Sequence, residues 1–212
     1  MSELGKALPN GKLILPAHIT DEWLEEYQEY RWLNLGDTSK IETVNPFALR
    51  TQYELENPHI HLLDMMRKPE NFGFTCKLLF GKTLAPFQIA VLRELWIRPF
   101  PMLLGCRGLG KSWLLAVYSI LRALFNQGSK IVVVGSAFRQ AKVVFDYCQD
   151  LWEQGPVFRD IVGPDTAGSA RKNGPRRDID MCRLKVGDSV ITALPLGDGT
   201  KIRGQRANII VA

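Results

Sequence analysis

The residues of this 212-residue chain whose types and spacing most clearly suggest chemistry lie between positions 105 and 112. They match the pattern G-x-x-x-x-G-K-[ST] at every fixed position. In such a loop, backbone N–H groups and the start of the next helix surround a phosphate chain, a Lys reaches the β- and γ-phosphates, and a Ser hydroxyl holds Mg²⁺. The sequence therefore predicts a nucleotide site made by Gly105, Cys106, Arg107, Gly108, Leu109, Gly110, Lys111 and Ser112, with Ser112 as the Mg²⁺ ligand.

The segments around this loop favour the same interpretation. Met102 to Leu104 is a short apolar run that predicts the end of a buried strand, and the apolar residues from Ser112 onward predict a helix. Gly108 and Gly110 permit backbone angles that a side chain disfavours. The alternative is a glycine turn that precedes a core helix by chance. This interpretation is the weaker one, because all four fixed positions of the motif match.

A second group of interest precedes the loop. Residues 83–97 predict a helix with Pro86 in its first turn, and Gln88 lies 17 positions before Gly105. Because a glutamine amide both donates and accepts, Gln88 can match the adenine edge that carries an amino group and a ring nitrogen. Phe87 either stacks on the adenine ring or fills the core.

The charge of the chain is unevenly distributed. Residues 1–97 contain 10 Lys and Arg against 13 Asp and Glu, whereas residues 98–212 contain 17 against 9. This balance suits a polyanionic partner, or is an ordinary solvated basic surface. No apolar stretch approaches the roughly 20 residues that span a bilayer, so we expect no membrane association. The four cysteines are scattered, which argues for free thiols rather than a zinc site.

The order of elements predicts the fold class. Residues 130–135 form a β-branched run without alternation, a helix follows to residue 154, a hairpin covers 181–194, and residues 208–212 form another buried run. Strands that alternate with helices favour an α/β fold of the P-loop NTPase type, with a doubly wound, mostly parallel sheet flanked by helices. Helical patterns near residues 20–36 and 57–67 add a helical N-terminal appendage.

A basic segment interrupts these elements at residues 163–180. Four cations in a loop-like sequence suit contacts with a phosphate backbone, which need charge but no fixed geometry. An ordinary solvated loop is the equal alternative. The candidate DNA contacts of this segment are Arg171, Lys172, Arg176 and Arg177.

Four stretches together resemble the N-terminal ATPase region of a terminase large subunit, the DNA-packaging motor of tailed bacteriophages. They are Phe87-Gln88, Gly105–Ser112 with its early basic Arg107, residues 136–141 and residues 201–211. The resemblance covers about residues 84–212. It implies an ATPase core over residues 76–212, and an arm with a helical, lid-like subdomain over residues 1–75.

By this resemblance, ATP hydrolysis drives double-stranded DNA into a procapsid. Lys111 and Arg107 are the implied catalytic residues, and Arg107 acts on its own site or on that of a neighbouring subunit. Arg203 is a further possible trans or DNA contact. The implied partners are the portal protein, the small terminase subunit and further copies of this chain in a ring. The implied location is the host cytoplasm, with transient docking on the procapsid.

The sequence departs from that family in its last residues. The strand that carries a Mg²⁺-binding Asp and a Glu in such ATPases has no acid between residues 200 and 212, so we expect negligible ATP turnover by the isolated chain. A helicase-like, nucleic-acid-stimulated ATPase is one alternative, and a nucleotide-gated binding module without turnover is another. A small-molecule kinase fits least, because a small substrate has no need of the basic half.

Overall fold

A computed structural model describes residues 4, 6, 13–33, 51–162, 174–179, 181–195 and 206–212. The chain forms two compact units, Met1–Pro101 and Met102–Ala212. The boundary that the sequence places after residue 75 falls inside a helix, Phe72–Phe80, whereas the compact units divide after Pro101.

Helices form the first unit in the part of it that the structure describes. Three of them, α1, α3 and α5, confirm the helices expected from apolar spacing. Proline occupies the first turn of α3 and of α5, where its missing N–H has no helical partner to lose. The helices are α1 (Asp21–Leu33), α2 (Gln52–Glu56), α3 (Pro58–Arg67), α4 (Phe72–Phe80) and α5 (Pro86–Ile97), and a 3-10 turn, Pro69–Asn71, joins α3 to α4.

Helix α4 is the centre of this unit, since eight of its nine residues are buried. Tyr27 of α1 packs directly on its backbone, and a methyl group added at Gly73 would lie 2.3 Å from the Tyr27 ring. Two buried side chains next to α4 donate hydrogen bonds: the Thr75 hydroxyl donates to the carbonyl of Met66, and the Asn71 Nδ2 donates to that of Met65, whereas Asn71 Oδ1 is buried with no partner among the described residues. Burial without these bonds would destabilise the unit.

The second unit combines a sheet with helices. Helix α6, strand β1, helix α7 and the hairpin of β3 and β4 confirm the expected elements, and β5 confirms the last predicted strand. The elements are α6 (Lys111–Phe125), β1 (Lys130–Gly135), α7 (Phe138–Gln154), α8 (Phe158–Val162), β2 (Gly174–Arg177), β3 (Cys182–Val186), β4 (Ser189–Pro195) and β5 (Ile209–Val211).

The prediction of a doubly wound, mostly parallel sheet is wrong. The sheet has the strand order β2-β3-β4-β1-β5, in which β1 pairs in parallel with β4 and with β5. The pairings of β2 with β3 and of β3 with β4 are antiparallel, so the sheet is mixed. The sequence pattern of each strand indicated burial, but the direction of pairing depends on connections that local patterns do not encode.

The helices also differ from a doubly wound arrangement. Helices α6 and α7 both pack against β1, β3 and β4, and they pack against each other, so they lie on the same face of the sheet. Their buried side chains, such as Leu121 and Phe145, form the core of this unit with Ile131, Leu184 and Ile191. None of the described helices is both long enough and apolar enough to cross a membrane.

Candidate nucleotide site

The glycine-rich segment forms an exposed loop that leads into α6. Gly108 and Gly110 have φ angles of +87° and +81°, in the left-handed region that favours glycine. These angles confirm the reason for which the sequence needs glycine there. Gly110 caps the helix, and Lys111 and Ser112 form its first turn.

The segment before the loop does not form the expected strand. Residues 101–106 lie in no regular element, and the side chains of Met102 and Leu104 are 82% and 80% exposed. An apolar run indicates a strand only where a neighbouring strand satisfies its backbone, and none of the five strands pairs with this run. The prediction of a buried strand end at 102–104 is therefore wrong.

The backbone of the loop presents hydrogen-bond donors that the described part of the chain leaves largely unused. From Gly105 to Ser112, the turn at Arg107 and Gly108 directs the Leu109 N–H toward the Cys106 carbonyl, and no backbone N–H forms a well-aligned hydrogen bond with another described residue. The first N–H groups of α6 belong to this set and add the partial positive charge of a helix N-terminus. A row of unpaired amides around left-handed glycines is the geometry that binds an anion.

Lys111 lies over this same loop. Its Nζ donates to the carbonyl oxygens of Gly105 and Cys106, at 2.8 and 2.7 Å. These two bonds hold the ammonium beside the loop amides, where it adds a full positive charge to the candidate anion site. The side chain of Ser112, the expected Mg²⁺ ligand, begins in the same helical turn.

Helix α6 determines where the loop lies in the second unit. The Ser189 hydroxyl, at the start of β4, donates to the carbonyl of Asn126 at the end of α6, at 3.2 Å. The 15 residues of α6 span about 22 Å, close to the length of the seven-residue β4. The start of α6, and with it the loop, therefore lies toward the other edge of the sheet.

That edge is where the three parallel strands end, with Gly135, Pro195 and Val211 as their last residues. Ligands of α/β sheets bind outside the carboxyl ends of parallel strands. Gly135 permits close packing there, because an added methyl group would lie 3.0 Å from the backbone nitrogen of Ala141 in α7.

Two side chains at this edge were not among the sequence-predicted site residues. Ser136 follows β1 directly, and its hydroxyl donates to Oε1 of Gln140 at 2.8 Å. Arg139 lies exposed in the first turn of α7 and has no ion pair with a described carboxylate. The signal that indicates both is their position after a parallel strand. Arg107 is likewise exposed, and none of the described residues forms an ion pair with it.

Phe87 and Gln88 belong to the first unit, at the start of α5. Phe87 is 47% exposed, so its ring is open to contact. Gln88 uses its side-chain oxygen within the helix, where Oε1 accepts the N–H of Ala85 at 2.9 Å. That bond closes the first turn of α5 and uses one of the two lone pairs of Oε1, so one remains for an adenine amino group. Contact with adenine stays a prediction for both residues.

The candidate DNA contacts separate into three groups. Arg171, Lys172 and Arg203 lie outside the described residues. Arg177 is bound to α7: its Nη2 lies 2.8 Å from Oδ1 of Asp146 and its Nε donates to Oε1 of Gln149 at 2.7 Å. Arg176 is exposed. Both arginines lie in β2, so the prediction that residues 174–177 are loop is wrong.

The thiols divide according to burial. Burial raises the pKa of the Cys76 and Cys148 thiols far above the ordinary range, so both stay neutral and unreactive. Cys106, in the loop, is exposed. Among the described residues, no three His, Cys, Asp or Glu side chains come together as a metal site.

Comparisons with known proteins add no family to this geometry. No protein-family model matches the chain, and no curated protein matches its sequence.

Proposed function

We propose that the chain binds the triphosphate of ATP, with Mg²⁺, in the loop Gly105–Ser112. The observation that carries this proposal is the set of unpaired backbone N–H groups that surrounds Gly108 and Gly110 and continues into α6. Lys111 provides a mobile positive charge beside these amides, because its two bonds to loop carbonyls are exchangeable for bonds to phosphate oxygens. Ser112 is the protein ligand of Mg²⁺.

ATP binding at this site would serve a motor that moves double-stranded DNA, as in the terminase large subunits that the sequence resembles. The basic balance of residues 98–212 and the ordered set of four motifs support this role. Arg107, exposed at the tip of the loop, would stabilise charge on the γ-phosphate in its own site or in a neighbouring one. Phe87 and Gln88 would contact adenine.

The wider setting of the proposal follows the same resemblance. The chain would act as a ring of copies, assemble with a portal protein and a small terminase subunit, and dock on a procapsid in the host cytoplasm.

The test of nucleotide binding is a titration with a fluorescent ATP analogue, in Mg²⁺ and again in EDTA. We expect saturable binding that Lys111→Ala weakens by roughly 10- to 150-fold, the equivalent of one charge-assisted hydrogen bond. Lys82→Ala is the matched control, since Lys82 is an exposed lysine in the first unit. Equal affinity of the parent chain and of the Lys111 variant, with unchanged thermal unfolding, would refute the proposal.

A nucleotide-gated binding module without turnover is the second candidate function. Phosphate release from ATP, measured with and without duplex DNA, distinguishes the two. Turnover that depends on Lys111 favours the motor, whereas binding without turnover favours the module.

A further inference from the structure

The two arginines of β2 have different environments. Arg177 forms its ion pair and hydrogen bond with α7, and its guanidinium lies 5.7 Å from the centre of the Phe145 ring in the same helix. Because successive residues of a strand project to opposite faces, Arg176 projects from the face away from α7. Its side chain is exposed and forms no ion pair with a described carboxylate.

Arg176 lies directly opposite Arg183 of β3 in the antiparallel register. Arg183 is exposed between two buried residues, Cys182 and Leu184, so it shares the outer face with Arg176. Its Nε donates to the sulfur of Met181 at 3.0 Å, and no described carboxylate pairs with it. Two arginines therefore lie side by side in the sheet without a counter-charge among the described residues.

Two lysines extend this arrangement across the sheet. Lys185 lies two residues beyond Arg183 on the same strand and therefore on the same face. Lys185 pairs with Val190 of β4, which in turn pairs with Lys130 of β1, so Lys130 belongs to the same row. We call Arg176, Arg183, Lys185 and Lys130 the basic face.

The described acidic residues next to β2 and β3 lie in turns, not among the strand residues of the basic face. Asp178 follows β2, and Asp188 lies in the turn between β3 and β4. Neither forms an ion pair with a described cation of the basic face.

The pairing of Arg176 with Arg183 lowers the stability of the folded chain when no ligand is bound. Like charges that lie directly opposite in an antiparallel pair destabilise it. An anion that bridges both guanidinium groups removes this repulsion, and arginine forks match the oxygens of a phosphate group. The arrangement therefore suits a ligand that brings phosphate groups to the exposed side chains of β2 and β3.

The neighbours on the same face favour a duplex over a single strand. The residues in register with the cations are Thr192, Val190, Val132 and Ile210, of which Thr192 and Val132 are buried, and none is aromatic. Proteins that hold single strands stack the bases on aromatic side chains, whereas duplex phosphates require charge alone.

We propose that the basic face binds the phosphate backbone of double-stranded nucleic acid. The proposal rests on the proposed function only for its choice of a nucleic-acid partner, and it does not require nucleotide in the loop. It separates Arg176, as a phosphate contact, from Arg177, as a structural residue of the contact between β2 and α7. It adds Arg183, Lys185 and Lys130, which the sequence did not indicate.

The experiment measures binding of a fluorescein-labelled 30-base-pair duplex by anisotropy, without nucleotide, at several KCl concentrations. We expect the double variant Arg176→Ala/Arg183→Ala to bind roughly tenfold more weakly at low salt. We also expect the slope of log K against log salt to become shallower by about 1.8, since each lost phosphate contact contributes about 0.9. Because nucleotide is absent, failure of ATP binding and failure of this proposal are separate results.

The matched control is Arg67→Ala/Lys68→Ala, which removes two exposed charges from the first unit and should leave duplex affinity unchanged. An equal loss in both double variants, or no loss in Arg176→Ala/Arg183→Ala, would overturn the proposal. So would polyglutamate that competes as well as duplex at equal charge, or tighter binding of a single strand. Arg176→Glu guards against misfolding as the cause, because it should raise the melting temperature while it weakens duplex binding.

Discussion

Two glycines of the second unit offer a matched pair for testing the loop. Gly108 has a φ of +87° in the predicted nucleotide loop, and Gly128 has a φ of +80° in the turn after α6. A methyl group added at either position meets no atom within 4 Å, so alanine introduces backbone strain without a clash. That strain is about 1–2 kcal/mol for a left-handed residue.

We expect this strain to lower the stability of the Gly128 variant and the ligand affinity of the Gly108 variant. The turn at Gly128 is held in place, because the N–H of Ser129 donates to the carbonyl of Asn126 and the Ser189 hydroxyl also donates to that carbonyl. The native state cannot relax, so Gly128→Ala should lower the free energy of unfolding by about 1–2 kcal/mol. The amides around Gly108 have no described partner, so the free loop can relax and the strain returns when an anion binds.

We therefore expect Gly108→Ala to lower the affinity for the fluorescent ATP analogue by about 5- to 30-fold, which corresponds to 1–2 kcal/mol. Its urea midpoint should stay close to that of the parent. Gly128→Ala should show the reverse, with a lower midpoint and unchanged affinity. If both variants lose affinity equally, or if Gly108→Ala binds as tightly as the parent, the loop is not an anion site held in this conformation.

Four further predictions concern other parts of the chain. Arg177→Ala should lower the free energy of unfolding in urea by about 1 kcal/mol, through loss of its ion pair and ring contact, and unchanged stability would contradict its structural role. Cys106 should react with a thiol reagent in the native protein and be protected by the ATP analogue, whereas Cys76 and Cys148 should react only after denaturation. Burial raises the pKa of the Cys76 thiol above its ordinary value of 9.0, so this thiol ionises at a lower pH in the unfolded chain than in the folded one. The free energy of unfolding should therefore fall as the pH rises above 9, by up to about 1.4 kcal/mol per pH unit for each such thiol. Arg176→Glu should raise the free energy of unfolding by about 0.2–1 kcal/mol, and a lower urea midpoint would count against the repulsion that we infer.

Local sequence patterns predicted most of the helices for identifiable reasons. Apolar residues at helical spacing and a proline in the first turn give α5 its position, and a glycine cap followed by an apolar run gives α6 its start. The requirement for glycine at positions 108 and 110 was also predictable, because the motif needs angles that the structure shows there. These features depend on neighbours within a few residues along the chain.

Features that depend on distant partners were not predictable in the same way. Residues 174–177, with a proline and two arginines, have the composition of a loop, and they form a strand only because β3 pairs with them. Met102 to Leu104 has the composition of a strand and lacks a partner. Whether Arg177 is free for DNA or bound to Asp146 likewise depends on how β2 lies against α7, which local sequence patterns do not predict.

The mixed sheet bears directly on both proposals. Its parallel part, β4-β1-β5, still brings three carboxyl ends to the edge toward which α6 directs the loop, so the nucleotide site does not need a fully parallel sheet. A doubly wound sheet covers both faces with helices and buries the side chains of its strands. Arg176 and Arg183 would then be two unpaired charges in a core, which is strongly unfavourable. Because they lie in the antiparallel part and are exposed, the departure from the expected fold is what makes a phosphate-binding face possible.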